Sequence, residues 1–185
     1  MIMKSLTQHI TEKLVLNSNS KIRKKPEYKY HPKTKEELQK LLKELVAERG
    51  NEGDFNDIDT SAITDMSRLF TYSDFNGDIS KWDVSNVTDM YHMFKHCRYF
   101  NKPLNDWDVS KVKELSGMFD LATEFNQPLN NWKLSSAGVM VDMFHSAYQF
   151  KQDLSSWDLR HIAVSQRRGM FTMSKMTKKY LPRFK

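Results

Sequence analysis

The sequence predicts an α/β repeat solenoid: a stack of about five short strand–helix coils with a parallel sheet and an N-terminal helical cap. Three observations carry this. First, Trp82, Trp107, Trp132 and Trp157 recur every 25 residues, as do Phe75, Phe100, Phe125 and Phe150. Met93-Phe94, Met118-Phe119 and Met143-Phe144 keep the same period, so several residue types share one register. Second, the apolar spacing within a period passes from alternation, as in a strand, to 3–4-residue steps, as in a helix. Third, 185 residues with 39% hydrophobic and 12% aromatic content suffice for a core, while the single Cys97 excludes a disulfide framework.

The N-terminal cap is expected over residues 1–53. Lys13-Leu14-Val15-Leu16 and Tyr28-Lys29-Tyr30-His31 read as two short strands, a hairpin or an edge, with Asn17-Ser18-Asn19-Ser20 as the turn. Residues 34–49 read as an amphipathic helix. Thr34 is its N-cap, Glu37 completes a capping box, and Leu38, Leu41, Leu42, Leu45 and Val46 line one face. Gly50 stands at the C′ position. Those leucines need a partner, and the open face of the first coil provides one.

The coils are expected over 54–171. In one unit the spacing Ile79-x-x-Trp82-x-Val84-x-x-Val87 follows leucine-rich-repeat logic, shorter and more aromatic. Trp82 and Val84 point to one face of a short strand. Val87, Met90, Met93 and Phe94 follow helical spacing, with Asn86 or Thr88 as cap and Asp89 in the first turn. The first copy, Ile58 to Phe70, and the last, Trp157 to Phe171, are atypical, as terminal units are.

The strings Phe-Asn-Gln-Pro-Leu-Asn-Asn-Trp (125–132) and Trp-Asp-Val-Ser-Asn-Val-Thr-Asp-Met (82–90) resemble the roughly 25-residue surface-protein repeat of BspA-like leucine-rich-repeat bacterial proteins. The resemblance covers about 54–171, and 33–50 resembles that family's leader. It implies a surface binding protein, an adhesin or host-matrix binder. The first residues, broken throughout by polar side chains, show no signal peptide and predict a cytoplasmic location; the resemblance implies the cell surface instead.

The tail, 172–185, is expected to be a basic binding peptide or a C-terminal cap. Residues 1–50 hold 12 basic and 6 acidic side chains, 51–150 hold 8 and 15, and 151–185 hold 9 and 2. A basic head and tail thus flank an acidic body. An acidic body repels phosphate, so no nucleic-acid partner is expected. No apolar run approaches the roughly 20 residues of a membrane span.

No constellation points to an enzyme. G-x-S-x-G, Walker and G-x-G-x-x-G patterns are absent, and no catalytic residue or cofactor is expected. His92 and His96 have the i, i+4 spacing of a zinc pair beside Cys97, but the next unit has Gly117 and Leu121 there; no metal is expected. Asp59, Asp83, Asp108 and Asp158 recur in register, broken by Lys133. Each reads as closing a turn through a backbone N–H or a nearby serine rather than as a calcium ligand. Asn76, Asn101 and Asn126, with Lys151 departing, read as a ladder onto turn backbones.

The function expected is a non-enzymatic, leucine-rich-repeat-like module for protein–protein interaction, monomeric or weakly oligomeric. Its binding face is expected on variable positions of the sheet: Ser80, Lys81, Asp83 and Ser85; Asp106, Asp108 and Ser110; Asn131, Lys133 and Ser135; Ser156, Asp158 and Arg160.

Overall fold

The computed structural model describes residues 27–184. The strand expected at 13–16 and the turn at 17–20 lie outside them. The second expected strand reduces to one parallel bridge, Tyr30 to Ile58.

Helix α1, Lys35–Arg49, forms as its sequence requires. Thr34 caps it: the Glu37 N–H donates to Thr34 Oγ1 at 3.2 Å. The Glu37 carboxylate reaches back one residue further than in the usual capping box, accepting from the Lys33 N–H at 2.6 Å. Gly50, at φ 76°, takes the left-handed end and donates to Val46 O. Leu38, Leu42 and Leu45 are buried against the first tier of the chain that follows. Polar ties fix the helix there: Lys35 Nζ to Asp65 and Ser67, and Arg49 to both oxygens of Asp57 at 2.8 and 3.0 Å.

The expected α/β repeat solenoid with a parallel sheet does not form. Among the described residues α1 is joined only by two 3₁₀ turns, Val164–Arg167 and Lys178–Tyr180, and extended pairing is confined to six isolated parallel bridges. Most of the chain is loop. The strand fails around Trp82 because two tight turns crowd it. The Trp82 N–H donates to Ile79 O and the Val87 N–H to Val84 O. Asp78 and Asp83 close these turns by accepting from the N–H groups of Ser80 and Ser85. Short Asp side chains bond the local backbone and take it from the ladder. The following helix fails because His92 and His96 stand at φ 55° and 60°. A left-handed residue every four positions breaks a right-handed helix. Residues 90–97 make consecutive four-residue turns instead, with Met93, Lys95 and Cys97 N–H groups donating to Met90, His92 and Phe94 carbonyls.

These loops stack in tiers. The N–H groups of Met90, His92, Phe94 and His96 donate to the carbonyls of Glu114, Ser116, Met118 and Asp120 at 2.7–3.0 Å. The same row runs from 66–72 to 89–95, from 115–121 to 139–145, and from 140–146 to 166–172. Every second peptide group therefore bonds a neighbouring tier, and those between are used in turns, which satisfies the buried backbone without a sheet.

The core sits inside the tiers. Phe70, Phe94, Phe119, Phe144 and Phe171 stack in one column at 5.4–5.6 Å. Phe75, Phe100, Phe125 and Phe150 form a second, 4.0 Å from the first within each tier. Each such ring contributes about 1.5–3 kcal/mol by burial. Each tryptophan indole N–H donates to a carbonyl one tier back: Trp82 to Phe55, Trp107 to Ile79, Trp132 to Leu104 and Trp157 to Leu129. The tail lies along the last tier, with Arg183 bonded to Trp157 and Leu159 and Leu154 to Tyr180.

Candidate binding face

The face is built from turns rather than from a sheet, which corrects the placement expected from the sequence. All thirteen expected residues are at least partly exposed. The aspartates hold the turns by accepting backbone N–H groups two residues on: Asp83 from Ser85 at 3.0 Å, Asp108 from Ser110 at 3.1 Å, and Asp158 from Arg160 at 3.2 Å. In Asp83 and Asp108 the second carboxylate oxygen has no partner among the described residues. Ser110, through its hydroxyl and then its N–H, holds the Asp108 carboxyl below the usual 3.8. Asp158 differs. Arg160 clamps both its oxygens, at 2.9 and 2.6 Å, which withdraws the pair from other partners.

The structure gathers much of this set into two adjoining depressions. Asp106, Asp108, Ser110, Asn131 and Lys133 line one of about 400 Å³. Lys133 also lines the next, of about 450 Å³, with Ser135, Ser156 and Asp158. Ser80, Lys81, Asp83, Ser85 and Arg160 line neither.

Two contributors escaped the sequence reading. Asn105 lines the first depression and ties it across a tier, accepting from the Asn131 N–H at 3.0 Å. His161 lines the second and bonds Ala137 O at 3.1 Å. Asn105 belongs to a second asparagine position; Asn56, at the equivalent place, accepts from Lys81 N at 2.7 Å. The first ladder is also present: Asn76, Asn101 and Asn126 accept from the N–H groups of Asn101, Asn126 and Lys151 at 2.9–3.0 Å.

His92, His96 and Cys97 do not share a helix face, because that helix is absent. The His92 ring stacks on Tyr91 at 3.8 Å and the His96 ring on Tyr72 at 4.8 Å. Burial, with Lys95 and Arg68 nearby, lowers the His92 pKa. Cys97 is fully buried and bonded to Phe75 O, and burial pushes its thiol up to about 12. Among the described residues no group of three or more His, Cys, Asp or Glu converges as metal ligands would. A second feature visible only in register is an ionic column: buried Asp120 sits between Lys95 at 2.7 Å and His145 at 2.8 Å, one residue per tier. No described helix is long and apolar enough to cross a membrane.

The family described as "Mycoplasma protein of unknown function, DUF285" matches residues 37–157 and, in a second overlapping match, residues 100–184. No curated protein and no solved structure matches the chain. The first of the two family matches alone spans more than half of the 185 residues, with most of α1 and all of the turn face but Asp158 and Arg160 inside it, and the chain belongs to this DUF285 family of Mycoplasma proteins.

Proposed function

We propose that this chain is a non-enzymatic binding module that holds a basic surface of a protein partner against its acidic turn face. The observation that carries the reading is the free carboxylate oxygen on Asp83 and on Asp108, in consecutive tiers, each fixed in direction by a backbone donor to the other oxygen. A carboxylate already oriented by its turn loses little side-chain freedom when a lysine or arginine arrives. Such charges act mainly on association rate and partner choice. Exposed Asp106 adds a third carboxylate beside Asp108.

The test is affinity capture from native extract on the immobilised chain, beside the double variant Asp83→Lys with Asp108→Lys. Proteins held by the parent and released by salt should be lost from the variant, at a nearly unchanged melting temperature. If the variant retains the same proteins while a chain ending at residue 172 loses them, the tail binds and the face does not.

A further inference from the structure

We infer that the C-terminal end of the stack is a second, separate docking surface, which takes an acidic segment of a partner protein, folded into tight turns, as a further tier. The inference stands on three features of the last tier and does not depend on the turn face.

The first is an open row of donors. Asp142, Phe144 and Ser146 donate their N–H groups to the carbonyls of Arg168, Met170 and Thr172. One tier on, Gly169, Phe171 and Met173 occupy the same places in the loop. Gly169 and Met173 repeat the left-handed backbone of Asp142 and Ser146, at φ 68° and 61° against 54° and 54°. Their N–H groups have no partner among the described residues. Every earlier row is answered by a carbonyl row, and an open backbone edge is a template for another chain.

The second is the surroundings of that row. A depression of about 450 Å³ opens beside it, lined by Met170 and Phe171 on the tier side and by Met176, Leu181 and Phe184 on the tail side. Met173 is 61% exposed. The two ends of the stack are thus unlike. At the other end, α1 lays Leu38, Leu42 and Leu45 on the first tier. Here the backbone of the tail pairs only on the Trp157 side, through Tyr180 and Arg183, and its Met176, Leu181 and Phe184 side chains leave the depression between tail and tier.

The third is charge. From residue 159 to the end the chain has eight basic residues and no acidic one. Arg167 and Lys178 line the depression itself, and the Arg167 guanidinium lies 4.2 Å over the Phe184 ring, which holds it at the rim. Backbone donors, an apolar floor and a cationic rim together select a segment with free carbonyls, alternate apolar side chains and carboxylates.

The chain contains a probe of that chemistry. Residues 114–125 carry three acidic and no basic side chains, and inside the molecule Glu114, Ser116, Met118 and Asp120 present a carbonyl row to the tier before. The experiment titrates a synthetic 114–125 peptide, and a scrambled peptide of equal composition, into the full chain. Amide hydrogen exchange is followed by NMR. Exchange at Gly169, Phe171 and Met173 should be fast in the free chain and slowed by the peptide, but not by the scrambled one. Lys178→Glu with Arg167→Glu should weaken binding about tenfold. Lys178→Glu alone, which spares the Arg167–Phe184 contact, should weaken it in the same direction. The inference is overturned if the peptide does not bind, or if it binds without protecting these amides. Equal binding of the scrambled peptide overturns it as well, since charge alone then suffices. Protection that grows with protein concentration without peptide overturns it too, and assigns the end to a second copy of the chain.

Discussion

Trp107 shows how one residue serves two needs. Its ring is 4% exposed, and its indole N–H donates to Ile79 O at 3.2 Å, so the polar atom of a buried aromatic is satisfied one tier away. Truncating Trp107 to Ala should cost roughly 3–5 kcal/mol in urea denaturation, the usual range for a buried large aromatic. A loss under about 1 kcal/mol would show that the ring does not carry the core. Gly117 has a different constraint. It sits at φ 56°, and an added Cβ would meet the His92 ring. Gly117→Ala should therefore destabilise the chain by more than the roughly 1–2 kcal/mol of left-handed strain alone. Adding His92→Ala should recover the excess, and a double variant no better than additive would remove the clash as the cause. Residues of these two kinds were unequally legible in the sequence. The tryptophans announced themselves by their 25-residue interval. The left-handed places did not, because Arg68, Tyr72, His92, His96 and Leu121 take them without being glycine. The turn-closing aspartates were legible by their local chemistry. Asn105 was not, since its bond joins residues 26 apart at a position outside the ladder that the sequence suggested.

Helix α1 was legible because its signals are local and mutually consistent: Thr34 and Glu37 at one end, Gly50 at the other, and leucines between. The helix expected after each tryptophan rested on apolar spacing, a cap at Asn86 or Thr88 and Asp89 in the first turn, none of which is specific to a helix. Val87, Met90, Met93 and Phe94 bury equally well from consecutive tight turns, and the row of bonds to the next tier outweighs the internal ladder of a helix. The parallel sheet that the spacing predicts is absent: only isolated bridges stand in its place, because aspartate turns interrupt every run. Since α1 covers the apolar edge of the first tier, a chain beginning at residue 51 should aggregate or fail to melt cooperatively. The milder Leu38→Asp with Leu42→Asp should lower the melting temperature by several degrees. A soluble, monomeric, cooperatively melting truncation would show that the helix is an independent appendage.

At the scale of the molecule, recurrence turns a local turn into a global pH response. The Ser61 hydroxyl lowers the Asp59 carboxyl, Ser110 lowers Asp108, and the bidentate Arg49 lowers Asp57, each below 3.8. A lowered folded-state value means the fold favours the ionised form. The stabilisation is fully present above 3.8 and is lost as pH falls through the folded value. His92 acts in the same direction at higher pH. Burial holds it below 6.5, so on acidification past 6.5 the unfolded chain takes up a proton that the native one resists. Urea midpoints should decline gently below pH 6.5 and steeply below about pH 4. His92→Asn should flatten the gentle portion alone. A midpoint constant from neutrality down to pH 3 would contradict the role given to these carboxylates.

The stacking of the tiers also gives the molecule an electrical direction. In the rows 66–72, 90–96, 115–121 and 140–146 the peptide groups that bond the next tier turn the same way and outnumber those that bond backward: Met66 donates to Asp89 O, and the N–H of the next residue, Met90, donates onward to Glu114 O. Each such group carries a dipole of about 3.5 D, and groups aligned head to tail add. For these rows the positive pole falls at the last tier, where residues 159–184 place seven basic and no acidic side chains, and the negative pole at the first. The backbone moment and the ionised side chains reinforce each other there. In the field of an anionic surface or macromolecule, the described tiers feel a torque that brings the last one forward before any contact is made, with the aspartate turns along the flank held away from the source of the field.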